Sequence, residues 1–178
     1  MVTEKSLANI VIRPAQEEDA ESFRDLRLEG LKNHSEAFAS DYEHDVQYPI
    51  EHWRDRVRPD PEDNSVIYVA QADQTLVGIT GIYRASNSKM RHNGHIWGVY
   101  VRPAWRGSGL ADRIIGACVE WARVHQIRHV KLGVAATNVG AIRCYLRCGF
   151  SVYGIEPEVI YANGIFYDEL LMAKSLRQ

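Results

Sequence analysis

The sequence has few cysteines, little net charge and no long apolar run. Its 178 residues include three cysteines, Cys118, Cys144 and Cys148, and an odd number of thiols favours a reducing compartment over a disulfide framework. The formal net charge of −2 argues against a general nucleic-acid binder. No apolar stretch approaches the ~20 residues of a membrane-spanning helix. Residues 1–13 also lack the basic and then apolar layout of a secretory signal. We therefore expect a cytoplasmic protein with neither a nucleic-acid partner nor a membrane partner.

Length and composition indicate one domain that covers residues 1–178. With 46% hydrophobic residues the chain can build a core without cross-links. Alternating and helical apolar patterns predict about seven strands and about four helices. The predicted strands cover 9–13, 65–72, 75–83, 95–101 and 129–135, with two more joined by Asn163-Gly164. The predicted helices cover 16–34, 49–57 and 138–148, with one more after the glycine turn whose apolar stripe runs from Leu110 to Ala122.

This order of elements predicts an α/β (α+β-like) fold with a mixed, mostly antiparallel sheet. A strand, a helix and a strand follow one another between residues 95 and 135, so those two strands should be parallel and joined by a right-handed crossover. Gly98 within its strand indicates a bulge or a close approach of the backbone. Pro157 indicates that the first strand of the final pair bulges or lies at an edge of the sheet.

The segment from Arg106 to Ala111, with the sequence RGSGLA, links a strand to the most regular helix of the chain. The free N–H groups and the dipole at a helix start favour an anion, and Gly107 and Gly109 allow the backbone to approach it closely. Asp112 stands where a dinucleotide fingerprint needs its third glycine. The turn also lacks the Gly-Lys-Ser/Thr of a Walker loop and the spacing of a G-x-S-x-G nucleophile.

Two blocks of the sequence carry a resemblance to a known family. Arg106–Ala111 is similar to the acyl-CoA pyrophosphate motif Q/R-x-x-G-x-G/A of the GNAT superfamily of N-acetyltransferases. Asn138–Phe150 resembles the same family's N-x-x-A-x-x-x-Y-x-x-x-G-F motif. The blocks stand in the expected order on a unit of the expected size, and both the start of the chain and its final hairpin agree with the family.

The resemblance implies a GNAT-type domain in which the parallel strands 95–101 and 129–135 splay apart around acetyl-CoA. It implies direct attack of an acceptor amine on the thioester, with backbone N–H groups of Val99, Tyr100 and Val101 holding the co-substrate and polarising its carbonyl. Tyr145 matches the tyrosine that protonates the departing thiolate, and Asn138 matches the asparagine that binds the co-substrate. The cofactor-binding residues predicted on the turn itself are Arg106, Gly107, Ser108, Gly109, Leu110 and Ala111.

The predicted catalytic base is His95, which stands near the place of a glutamate in many relatives. An imidazole can accept a proton at neutral pH, although a structural histidine is also consistent with the pattern. Weaker candidates for the base are His92, Glu36 and Tyr100.

The other predicted functional residues are also consistent with purely structural roles. Tyr145 can be a core tyrosine, and Asn138 can be a helix cap with or without a ligand contact. Cys144 and Cys148 lie one helical turn apart without further ligands in view, so we expect packing thiols and no metal.

Residues 34–63 are acidic, with nine carboxylates against three arginines, so this segment carries −6 and the rest of the chain +4. The segment is either a solvated face or a rim that attracts a cationic acceptor. The predicted function is acetyl-CoA-dependent acetylation of a primary amine on a small cationic molecule, an amino acid or a peptide N-terminus. The alternative is a sensor that binds acyl-CoA without transfer. The resemblance also implies a homodimer through the final hairpin.

Overall fold

A computed structural model describes residues 7–177 of the chain, so residues 1–6 and 178 of the predicted domain lie outside the described part. One seven-stranded sheet runs through the molecule in the order β1-β2-β3-β4-β5-β7-β6. The strands are β1 Ile10–Pro14, β2 Ser65–Ala72, β3 Thr75–Arg84, β4 Asn93–Val101, β5 His129–Ala135, β6 Ser151–Ala162 and β7 Ile165–Ser175. The seven predicted strands and the mostly antiparallel pairing are confirmed.

Five α-helices occur among the described residues, one more than the four predicted. They are α1 Ala20–Asn33, α2 Tyr42–Asp45, α3 Ile50–Val57, α4 Leu110–Val124 and α5 Val139–Arg147. The additional helix α2 is a single turn whose N-cap, Asp41, accepts a hydrogen bond from the backbone of Glu43. A helix of four residues is too short to show an apolar period, and the sequence analysis therefore missed it. None of the described helices is both long and apolar enough to cross a membrane.

The helices cover both faces of the sheet. Helix α4 packs on β2, β3 and β4 through the fully buried Ile114, Ile115 and Cys118. Helix α1 packs on the other face of β3 and β4, where Phe23 and Leu26 join the buried ring of Trp53 from α3. Each face thus has its own apolar core, as a strand with alternating side chains requires.

The parallel pairing between β4 and β5 is short. It joins Asn93, Gly94 and His95 to His129, Val130 and Lys131 and then stops. Beyond this point the two strands diverge, so the edge of β4 that faces β5 has no strand beside it. A bulge lies in the unpaired part, because β4 holds one more residue than β3 between the pairs Trp97–Gly81 and Tyr100–Ile79. Gly98, at the bulge, has a positive φ of 65°, and the predicted irregularity at this residue is confirmed.

The final hairpin of β6 and β7 turns at Asn163-Gly164, as predicted, with positive φ at both residues. The pairing shifts between Glu156 and Ile160, and β6 is the last strand of the sheet, so the prediction from Pro157 is also confirmed. The hairpin exposes an unusual number of large apolar side chains. These are Val152, Tyr153, Ile155, Val159, Tyr161, Ile165 and Phe166. Such a surface is typical of a subunit contact, and the homodimer stays a prediction that light scattering can test.

Candidate active site

The divergence of β4 and β5 opens a cleft of about 1070 Å³. Residues 96–101 of β4 line it on one side and residues 132–134 of β5 on the other. The glycine turn, Arg106–Ala111, and the start of α5 complete the wall on the α4 face, which we call the glycine-turn wall. Eleven of the twelve predicted site residues line this one cleft, and His95 does not.

The glycine turn has the geometry of an anion site. Gly107 and Gly109 both adopt left-handed backbone angles, with φ of 74° and 86°. Gly109 is the N-cap of α4 and has no side chain to satisfy the first N–H groups of the helix. A Cβ on Gly107 would meet no atom within 4 Å, so the space in front of the turn is open. Ser108 donates its hydroxyl proton to the carbonyl of Trp105 at 2.6 Å, which closes the turn from inside.

The Arg106 side chain folds back onto the protein. Its Nε donates to the carbonyl of Val101 at 3.0 Å, and one terminal nitrogen lies 2.9 Å from His34 Nε2. The guanidinium lies 5.6 Å from the centre of the Tyr100 ring. Arg106 therefore fixes the path from β4 into the turn while it adds positive charge to the glycine-turn wall.

Tyr100 contributes to the cleft chiefly through its backbone. Its side chain is buried under α1, and its hydroxyl donates to the Glu29 carboxylate at 3.0 Å. Burial and then this hydrogen bond raise its pKa. A protonated phenol that is already bonded to a carboxylate is a poor base for an incoming amine.

Helix α5 and its N-cap supply two predicted residues. Asn138 caps the helix, because its side-chain oxygen accepts a hydrogen bond from Ala141 N at 3.1 Å, and it also faces the cleft. Tyr145 is 6% exposed and packs edge-on against Phe150. Burial above all, followed by the neighbouring thiols of Cys144 and Cys148, raises the Tyr145 pKa above its ordinary value. The phenol therefore stays protonated at neutral pH and can donate a proton.

A cluster of Asp112, Cys144 and Cys148 holds α5 against the start of α4. The three potential ligand atoms lie within 4.8 Å of one another. Cys144 donates to the carboxylate at 3.1 Å, and Arg147 forms an ion pair with it at 3.0 Å. Burial and the carboxylate raise the pKa of both thiols, which keeps them protonated. The ion pair with Arg147 offsets the negative charge of Asp112, whose Oδ2 lies 3.9 Å from the position of a Cβ on Gly109.

The structure places His95 outside the cleft. It lies at the last closed rung of the β4–β5 pairing, opposite Lys131, and its ring stacks on Tyr83 at 5.2 Å. Burial and the charge of Lys131 lower its pKa. His95 is therefore neutral at pH 7, but the divergence that opens the cleft begins only after it. Of the weaker candidates, Glu36 lines the cleft and His92 does not.

The sequence analysis missed Glu169, which lies on β7. Its carboxylate lies directly over Gly133 of β5, a residue that lines the cleft. A Cβ on Gly133 would come within 2.9 Å of Glu169 Cδ. Leu132 and Val134 point into the core on the α4 face, so Glu169 lies on the opposite face, with α1. Burial, and then Glu156, raise its pKa. Glu169 and Gly133 are distant in the sequence and come together only because β7 pairs with β5. The residue could have been found only if the register of that pairing had been known.

The wall on the α1 face carries buried charge. We call it the α1 wall and define it by Phe38 and Trp97, which line the cleft, and by Arg27 and Glu169, which do not line it but lie next to the lining residues Gly98 and Gly133. Arg27 is 4% exposed, and its guanidinium lies 4.8 Å from the centre of the Phe38 ring. Of the nine carboxylates in residues 34–63, Glu36 alone lines the cleft, which gives little support to an acidic rim.

Comparison with known proteins agrees with this geometry. The profile described as the Acetyltransferase (GNAT) family matches residues 23–150, so the chain belongs to that family. It is therefore an acyltransferase, and acetyl-CoA is the co-substrate on which the family relies.

Two curated relatives have informative names. The chain is 27% identical over 173 residues to the L-amino acid N-acetyltransferase AaaT of Escherichia coli K12. The aligned region covers 94% of this chain and 99% of that protein. It is 31% identical over 78 residues to an L-methionine sulfoximine/L-methionine sulfone acetyltransferase of Pseudomonas aeruginosa, a match over 44% of this chain and 45% of that protein.

Solved structures share the fold. An acetyltransferase of the GNAT family from Streptococcus pneumoniae superimposes with a TM-score of 0.83 at 23% identity, over 94% of this chain and 99% of the other. The protein YncA from Salmonella typhimurium, solved with its cofactor acetyl-CoA, gives a TM-score of 0.83 at 20% identity, over 96% of both chains.

The residues of this chain fit acetyl-CoA on physical grounds. The glycine turn offers free N–H groups, a helix start and open space to a pyrophosphate. Arg106 and Arg143 add positive charge along the same wall, and Arg147 offsets the charge of Asp112 there. The unpaired edge of β4 offers backbone groups to an extended amide-containing arm, in the manner of an added strand.

Proposed function

We propose that this chain transfers the acetyl group of acetyl-CoA to the primary amine of a small acceptor, with a free amino acid as the favoured class. The observation that carries the proposal is a single cleft that runs from the glycine turn, between the diverging strands, to Phe38 and Trp97 on the α1 face. The names of both curated relatives support an amino acid as the acceptor.

Acetyl-CoA supplies a thioester, and the chain's own groups handle the charge and the protons around it. Backbone N–H groups of Val99–Val101, on the unpaired edge of β4, hold and polarise the thioester carbonyl. Tyr145 donates its proton to the leaving thiolate, which its raised pKa permits because the phenol is protonated when the reaction begins. Asn138 fixes the start of α5 and so the position of Tyr145.

The base that receives the proton of the amine is Glu169 in this proposal. Its carboxylate lies over Gly133, beside the open part of the cleft. A carboxylate with a raised pKa is a better proton acceptor than an exposed one. The sequence-based candidate, His95, stays a prediction and serves as the alternative in the test described in the Discussion.

An acceptor screen tests the proposed function. The purified protein is mixed with acetyl-CoA and each of the common amino acids, their amides, short peptides and simple amines, and released CoA is measured. We expect release with one or more amino acids, with a matching N-acetyl product by mass spectrometry. Tight binding of acetyl-CoA with no release for any amine would contradict the proposal and favour the sensor.

A further inference from the structure

Buried polar atoms without partners are concentrated on one side of the cleft. Within residues 7–177, seven buried side-chain nitrogen or oxygen atoms have no hydrogen-bond partner. Five of the seven belong to the segment from α1 to α3: Nε and Nη1 of Arg27, Oδ2 of Asp45, Nε2 of His52 and Nε1 of Trp53. A buried unpaired polar group is costly, and a charged one is the costliest. The concentration therefore needs a physical explanation.

Arg27 is the most demanding of these groups. Its side chain makes one hydrogen bond, from Nη2 to the hydroxyl of Ser40 at 3.0 Å, and two of its nitrogens are left without an acceptor. Burial and the charge of Arg56 lower its pKa to about 10, so it is still a cation at neutral pH. The carboxylate of Asp45 is near enough to act on it electrostatically but makes no ion pair with it.

The charges around Arg27 do not balance. Arg56 lies with its guanidinium 4.8 Å from the centre of the Trp97 ring, also on the α1 wall, and feels the same carboxylate. Two guanidinium groups therefore share a single buried carboxylate, that of Asp45, and the immediate surroundings of Arg27 carry an excess positive charge. An anion bound here would supply the acceptor that Arg27 lacks.

The guanidinium of Arg27 lies close to the cleft in which acetyl transfer is proposed to occur. Its Nη1 lies 3.5 Å from the point where a Cβ on Gly98 would be, at the bulge of β4. Gly98 lines the cleft on the unpaired stretch of the strand. In an α-amino acid, the amine nitrogen and the carboxyl carbon are only about 2.5 Å apart. A carboxylate on Arg27 thus presents its own amine to the bulge and to the cleft beside it.

We propose that Arg27 binds the carboxylate of the acceptor, so that this chain acetylates free α-amino acids in preference to amines without that carboxylate. The inference rests on the proposed function and names the group that selects its substrate. Phe38 lines the cleft and covers the guanidinium, so the proposal requires that the segment that carries Phe38 moves aside when the acceptor enters. A peptide N-terminus or an amino-acid amide lacks the anion and binds poorly at the same place.

The test compares L-methionine with L-methioninamide and with 3-(methylthio)propylamine, which share one side chain and differ at the carboxylate. The variant is Arg27→Gln, with Arg27→Lys as the conservative change. Arg24→Gln is the matched control, because Arg24 is an exposed arginine one turn earlier on α1 that pairs with Asp25. Thermal unfolding and acetyl-CoA binding are measured for each variant to establish that it folds.

We expect the wild type to favour methionine over both analogues in kcat/KM. Arg27→Gln should lower that value for methionine by about 10- to 100-fold, mainly through KM, as the loss of a charge-assisted hydrogen bond predicts. For the two analogues, kcat/KM of Arg27→Gln should stay within about twofold of the wild-type value. Arg27→Lys should recover part of the loss that Arg27→Gln shows with methionine. Equal effects on all three acceptors, or a wild type that prefers the amide, would overturn the proposal.

A second readout does not depend on turnover. Calorimetry compares the binding of N-acetyl-L-methionine and of its amide to the wild type and to Arg27→Gln. The inference requires that the acid binds more tightly to the wild type and that the variant loses this preference. If no amine is acetylated but this pattern holds, the proposed transfer is wrong and the carboxylate site stands. If transfer occurs and the pattern is absent, the carboxylate site is wrong.

Discussion

The two walls of the cleft are built in different ways. The glycine-turn wall comes from two short blocks of sequence and offers mostly backbone groups, the helix start at Gly109 and the unpaired edge of β4. The α1 wall is assembled from residues on four separate segments and offers side chains, of which Arg27 is charged and buried and Glu169 is half-buried. Backbone chemistry suits a ligand that is common to the whole family, whereas side chains suit an acceptor that differs among members. The contrast predicts that changes in the two walls will affect different steps.

Tyr145 gives the largest expected effect on the glycine-turn wall. Replacement by phenylalanine removes the proton donor but keeps the ring that packs on Phe150. We expect kcat to fall by about 100-fold, as for the loss of a positioned proton donor, while acetyl-CoA affinity changes little. Stopped-flow turnover and calorimetry measure the two quantities. Tyr153→Phe, at an exposed tyrosine of β6, is the matched control and should have no effect. Unchanged turnover in the Tyr145 variant would remove the general acid from the mechanism.

Glu169 provides the corresponding test of the α1 wall. A base works only when it is deprotonated, so the rate should fall as the pH is lowered through the Glu169 pKa, which burial places above its ordinary 4.5. We expect Glu169→Gln to reduce kcat/KM at least tenfold and to abolish this acidic limb of the pH profile. Gly133→Ala should resemble it, because a Cβ there displaces the carboxylate.

His95→Gln is the contrasting variant. The pKa of His95 is lowered and that of Glu169 is raised, so the two pKa values are shifted toward each other. The variants, rather than the position of the acidic limb, therefore separate the two candidates. We expect His95→Gln to keep the limb and to stay within about twofold of the wild-type rate. If His95→Gln removes the limb and Glu169→Gln does not, the sequence-based prediction is right and the structural one is wrong.

The smallest expected effects come from two glycine-to-alanine substitutions, one at Gly109, the N-cap of α4, and one at Gly116 inside the helix. Comparing them separates the strain of a left-handed backbone angle from the general effect of replacing a flexible glycine. Gly109 has a φ of 86°, so Gly109→Ala should cost about 1–2 kcal/mol of stability and weaken acetyl-CoA binding. Gly116 lies inside the same helix, where a Cβ meets no atom within 4 Å. Gly116→Ala should therefore add up to about 1 kcal/mol without a change in binding. Denaturant unfolding and calorimetry measure both. Equal destabilisation would show that the left-handed angle at Gly109 is not what the turn requires.

The sequence predicted most of the fold because its signals are local. Strands 65–72 and 129–135 have the predicted bounds, and the helix after the glycine turn follows from its apolar stripe. The glycine-turn wall was equally accessible, since its residues lie within two contiguous motifs. The bulge at Gly98 could be predicted as an irregularity from a glycine inside a strand.

The α1 wall was not predictable from the same signals. In the sequence, Arg27 is an ordinary helix arginine, and only the packing of α1 on β4 brings it next to Gly98. Glu169 is an ordinary strand residue, and only the register of β7 brings it over Gly133. His95 lies on the correct strand, but one rung before the strands diverge. Each of these positions depends on which strands pair and where the pairing stops, which no local spacing records.

The short pairing between β4 and β5 has a mechanical consequence. The sheet consists of two antiparallel parts, β1–β4 and β5–β7, joined by only three residue pairs. Few backbone hydrogen bonds therefore hold the two parts together at this seam. On the α4 face the two parts share one apolar core, in which Ile96 of β4, Val130 of β5 and Met172 of β7 pack together. The aperture of the cleft is therefore set by side-chain packing beneath the seam more than by the hydrogen bonds of the sheet.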